Sequence, residues 1–131
     1  MFKILKNRKG VTLVELLAVV VILGIIAAIA VPTIGGLIAR QQANADKATY
    51  NAIVDAAELY GGTAVFTLDK LEQDDFIDLK ANTFSLNGTD NVLKTAVYIK
   101  IVGGVVRFYS DAAGTTATDF YVNDTLVYEK P

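Results

Sequence analysis

The 131-residue sequence has no cysteine, no histidine and no tryptophan, and only one methionine and two prolines. Without cysteine there is neither a disulfide framework nor thiolate chemistry. That absence does not fix the compartment, because an extracellular domain can do without disulfides. Without histidine the commonest general base and the commonest zinc ligand are missing. No Walker A glycine loop and no G-x-S-x-G elbow is present. An enzyme is therefore not expected, and neither is a cofactor. Acid is missing from the first ten residues, MFKILKNRKG, which carry Lys3, Lys6, Arg8 and Lys9. These four leave 8 of the 12 bases to balance all 14 acids, a net of −6 from Val11 onward. The basic start suits an anionic cytoplasmic membrane face. The acidic remainder argues against general nucleic-acid binding, although nucleic acid stays open as a partner.

Charge is also missing from Leu16 to Ala39, a run of 24 positions. A transmembrane helix needs about 20 predominantly apolar residues. Pro32 interrupts the run, with Gly35 and Gly36 close behind. A proline inside a helix removes one backbone hydrogen bond and crowds the preceding turn, so a kink or weak turn is expected there.

Past Arg40, Ala45, Ala48, Ala52, Ile53, Ala56 and Leu59 recur at spacings of three and four. This reads as the apolar stripe of an amphipathic helix, with Asp46, Lys47, Asp55 and Glu58 off it. Gly61-Gly62 is a helix stop signal. One helix from about Val11 to Tyr60 would measure roughly 75 Å, more than a domain of this size can bury.

Leu68 to Leu79 has helical spacing and predicts a short helix or turn. Thr95–Val102 and Val105–Tyr109 flank Gly103-Gly104, and Phe120–Val122 and Thr125–Tyr128 flank Asn123-Asp124. Each pair reads as a β-hairpin. The expected fold is α+β. A long N-terminal helix has a protruding apolar half and an amphipathic half packed on a small antiparallel sheet of three or four strands. The carboxylates Asp69, Glu72, Asp74, Asp75 and Asp78 lack the spacing and glycine of a calcium loop, so they read as a solvated face with no metal. The six tyrosines read as sheet packing. Asn87-Gly88-Thr89 and Asn123-Asp124-Thr125 match a glycosylation sequon and are expected in turns.

The chemistry concentrates in Lys9-Gly10-Val11-Thr12-Leu13-Val14-Glu15. A carboxylate at the mouth of a membrane helix costs a few kcal/mol and calls for a partner. A cut after Gly10 would give Val11 a new α-amine, and that cation is a natural partner for Glu15 of another copy. Pairing removes most of the cost of two buried charges and sets a register between subunits. Glu15 also lies in the first helical turn counted from Val11, where the helix dipole favours an anion.

Residues 9–29 resemble the class III prepilin signal of type IV pilins and pseudopilins. That pattern has a basic leader, Gly, an apolar residue, Thr or Ser, Leu, an aliphatic residue and Glu, then fourteen uncharged, mostly apolar residues. Leu16 to Ile29 fill the fourteen. The resemblance implies residues 1–10 as a leader, 11–40 as a transmembrane and filament-core helix, and 41–131 as a globular head. It implies cleavage after Gly10 by a membrane prepilin peptidase, which also N-methylates Val11. Glu15 and Val11 would direct assembly, and Pro32 falls where many pilins kink or melt. The implied partners are copies of the same chain, the peptidase/methylase, an assembly ATPase with its platform protein, and the membrane before assembly. The implied location is the cell membrane first and a cell-surface filament afterwards. The first mature residue of the family is usually Phe, and here it is Val11. The cysteine pair of many Gram-negative pilins is absent, which leans toward a Gram-positive pilin or a competence pseudopilin.

Beside a plain single-pass membrane anchor, two other readings are weighed. One is a competence or type II secretion pseudopilin, from the same family. The other is a secreted binding module with an ordinary signal peptide, whose Ala28-Ile29-Ala30 site precedes Val31. Gly10 and Glu15 together are explained by the prepilin pattern and not by the secretory one.

Overall fold

The computed structural model describes residues 2–131, with side chains from Gly10 onward. The chain divides into two compact units, the first ending at Gln41 and the second running Gln42–Pro131.

Helix α1 spans Phe2–Tyr60. It begins nine residues before the expected Val11. Gly10 is the weakest helix former in that stretch, at about 1 kcal/mol against Ala. The helix also runs through Pro32 and Gly35-Gly36 without interruption. The turn beside Pro32 is buttressed by the Thr33 hydroxyl, which donates to the Ile29 carbonyl at 2.9 Å. At the other end, the Gly61 N–H donates to the Ala57 carbonyl at 3.0 Å and closes the helix.

The second half of α1 buries a stripe that shares only Ile53 and Ala56 with the one expected. Asp46, Ile53, Ala56 and Ala57 are buried, with Tyr50 and Tyr60 half-buried between and beyond them. Ala45, Ala48 and Ala52 face outward, and Leu59 is 77% exposed. The alanines bury little surface wherever they sit, so they do not choose the face. The large amphipathic rings of Tyr50 and Tyr60 do.

The remainder of the head is α+β, as expected. Its strands form two three-stranded antiparallel sheets instead of one sheet of three or four strands. One sheet orders β1 (Phe66–Thr67), β3 (Tyr98–Val102) and β4 (Val105–Tyr109) as β1-β3-β4. The other orders β2 (Phe84–Leu86), β5 (Phe120–Val122) and β6 (Thr125–Tyr128) as β2-β5-β6. Both expected hairpins form, through Gly103-Gly104 and Asn123-Asp124. Both sequons sit in turns, with positive φ at Asn87 and Asn123.

A short helix α2 spans Leu68–Gln73, where the Thr67 hydroxyl accepts from the Lys70 N–H at the N-cap. Leu68 and Leu71 are buried. Phe76, expected on the same face, is 41% exposed but lays its ring edge-on to Tyr60 at 5.4 Å.

One aromatic stack joins the layers. Phe84 stacks on Phe120 at 5.7 Å, Phe120 on Phe108 at 4.3 Å, and Phe108 meets Tyr50 of α1 at 5.9 Å. Phe108 and Phe120 are fully buried, so this contact ties the two sheets to each other and to the helix stripe.

Candidate functional site

The segment from Gly10 to Ala39 finds no core within the chain. Its large apolar side chains are 50–69% exposed, and its best 18-residue window has a mean hydropathy of 3.0 with none of it buried. So much exposed apolar surface belongs in lipid or against other protein. Among the described residues, one helix has the length and apolarity to cross a membrane.

Within this segment Val11 and Glu15 are one helical turn apart and share a face. Glu15 is exposed and forms no ion pair among the described residues. Gly10 precedes them, and a Cβ added there would meet nothing within 4 Å. The fold of the single chain therefore makes no demand for glycine at this position, although glycine weakens the helix. Pro32 lies 17 residues beyond Glu15 on the same helix. It lines a shallow groove with Thr33, Gly36, Leu37 and Arg40. The four sequence candidates thus share one helix but make no single cluster: Gly10, Val11 and Glu15 group together, and Pro32 stands apart.

A second constellation was not foreseen. Asp46 was assigned to the solvated side of α1, yet it is 1% exposed. Its carboxylate accepts from Gln42 at 3.0 Å, from the Asn123 amide at 2.9 Å and from the Thr125 hydroxyl at 2.5 Å. Burial pushes its pKa up, but the three donors outweigh burial and hold it below the usual carboxylate range. Asn123 extends the network. Its amide also donates to Asn82 at 3.0 Å, and its side-chain oxygen accepts the Thr83 N–H at 2.9 Å. A chain without disulfides thereby fastens its last hairpin to α1 across 77 and 79 residues of sequence. The available signal was spacing: 46, 50, 53, 57 and 60 fall on one helical face once Asp46 is allowed on it.

The acidic stretch around α2 is engaged locally. Glu72 pairs with Lys94 and accepts the Leu79 N–H at 3.0 Å, and Asp74 pairs with Lys70 at 3.1 Å. The Lys94 hydrogen bond holds the Glu72 pKa low, helped by the Leu79 N–H. No group of residues suited to hold a metal occurs among the described residues.

Residues 5–31 match the family model of the prokaryotic N-terminal methylation motif. The chain is also 31% identical over 111 residues to the type IV major alpha-pilin of Moraxella bovis. That similarity covers 82% of this chain, and the chain spans 65% of the relative's length. No solved structure matches it significantly. The chain thus carries a methylation motif on its exposed apolar helix and is similar to a type IV pilin over most of its own length.

Proposed function

We propose that this chain is the precursor of a structural subunit of a type IV pilus-like surface filament. The observation that carries the reading is the sequence Gly10-Val11 one turn before a lone Glu15, at the mouth of an apolar helix with no core to bury it. Residues 1–10 are the leader, 11–40 the membrane and filament-core segment, and 41–131 the head.

The precursor waits in the cell membrane with its basic leader on the cytoplasmic side. A prepilin peptidase cuts after Gly10, which removes four cations and frees the Val11 amine for N-methylation. An assembly ATPase and its platform protein then move subunits from lipid into a filament of identical copies on the cell surface. Lipid is as apolar as a helix bundle, so hydrophobic burial alone does not drive this transfer. Helix packing and the Val11 amine–Glu15 carboxylate pair between copies decide the balance. An unpaired Glu15 would be costly in a filament core, and the pair admits one docking register. Pro32 and the groove beside it supply a place for the helix to adjust on assembly.

Glu15→Val tests the pairing. Leader cleavage should proceed as in the parent, and filaments should be absent from electron micrographs of the cell surface. Normal filaments from this variant would defeat the pairing mechanism.

A further inference from the structure

The β3–β4 hairpin has two unlike faces. Ile99 and Phe108 lie opposite each other in register and are both fully buried in the core. The alternate positions face the other way. There Lys100 lies opposite Arg107, both half-buried, between a Tyr98–Tyr109 pair in which Tyr109 is buried and a Val102–Val105 pair beside the turn. Like charges directly opposed on a sheet destabilise it. Neither cation forms an ion pair among the described residues. The Lys100 stem is held in place from one side, since a Cβ on Gly114 would lie 3.3 Å from its Cδ. The face thus presents two adjacent, half-buried cations without an ion pair among the described residues. The same head carries the opposite charge elsewhere: residues 69–78 hold five carboxylates and one lysine, and although Glu72 pairs with Lys94 and Asp74 with Lys70, Asp75 and Asp78 are exposed and form no ion pair among the described residues.

We propose that the Lys100–Arg107 face docks on the carboxylates of residues 69–78 of a second copy of this chain. The inference rests on the filament-subunit reading and adds a head-to-head contact to it. The two surfaces are different parts of one molecule, so the contact is heterologous. Each copy offers one of each, and the contact repeats along an open assembly. Charge pairs of this kind fix register and partner choice more than affinity. A polyanion such as nucleic acid suits the face less well. Two cations neutralise few phosphates, and the acidic remainder repels the rest.

The absence of native cysteine makes the contact directly testable in the full chain, in cells that assemble it. In filaments of the Lys100→Cys/Asp74→Cys variant, mild oxidation should give a covalent ladder of dimers, trimers and higher multimers. Each single variant should remain monomeric. Independently, Lys100→Glu/Arg107→Glu should abolish filaments, and adding Asp74→Lys/Asp78→Lys should restore them. A thermal melt of the reversed variant matching the parent separates lost docking from lost folding. Normal filaments from the reversed variant, with no ladder from the cysteine pair, would overturn the contact and leave the filament reading standing. Normal filaments whose DNA retention alone falls would overturn it in favour of nucleic acid. No filaments from the unaltered chain would remove the filament reading and the contact with it.

Discussion

At Asp46 a carboxylate with 1% exposure is held by three donors, two of them from the last hairpin. Replacing it with alanine leaves the part-buried Thr125 hydroxyl and one Asn123 N–H without their acceptor. A buried donor left unsatisfied costs about 1–3 kcal/mol. Asp46→Ala should therefore destabilise the head by about 2–4 kcal/mol, measured by urea unfolding. The same residue sets a pH dependence. Asp46 and Glu72 both have lowered pKa values in the folded chain. The unfolded chain, with ordinary carboxylates near pH 4, binds more protons in that range. Their contribution is complete above the ordinary value and is lost as pH falls from there through the lowered folded values. Thermal melts over this acid range should show a falling Tm in the parent and a shallower fall in Asp46→Asn. Glu15 forms no ion pair among the described residues, and its role is therefore sought between copies.

Among the elements, the hairpins were legible and the short strands were not. Gly103-Gly104 and Asn123-Asp124 each announce a two-residue turn between β-branched and aromatic runs, and both turns form where expected. β1 and β2 are two and three residues long, and their pairing is set by distant partners such as Ile99 and Val122. No local pattern of that length signals a strand, so the division into two sheets could not be read. The α1 stripe was misjudged for a related reason. Counting apolar residues put Leu59 inside and Asp46 outside, whereas ring packing and a hydrogen-bond network put them the other way round. The loop after β4 was also silent in the sequence. There the Asp111 carboxylate accepts from the backbone N–H groups of Thr115 and Thr116 and folds Gly114 down against Val65. Gly114 has φ +65°, and a Cβ would lie 2.7 Å from the Val65 side chain. Gly114→Ala combines backbone strain with overpacking, and should cost about 2–4 kcal/mol in an unfolding titration.

At the scale of the whole molecule, the chain spends its residues on two tasks with different physical demands. The head from Gln42 onward satisfies itself, with an aromatic stack, two sheets and a buried polar clasp. The helix ahead of it leaves its apolar side chains unburied, and so calls for lipid or other protein to cover them. The residues proposed for processing and assembly form a local pattern that a sequence can display: a small residue, a prospective amine and a carboxylate within six positions. The clasp was illegible because its members lie more than 70 residues apart. The central claim concerns what becomes of the first ten residues. Its most direct test is mass spectrometry of the N-terminal peptide from sheared surface filaments of cells expressing the full chain. The account predicts a subunit that begins at Val11 and carries one N-methyl group. A subunit that begins at Met1 or at Val31 would contradict it.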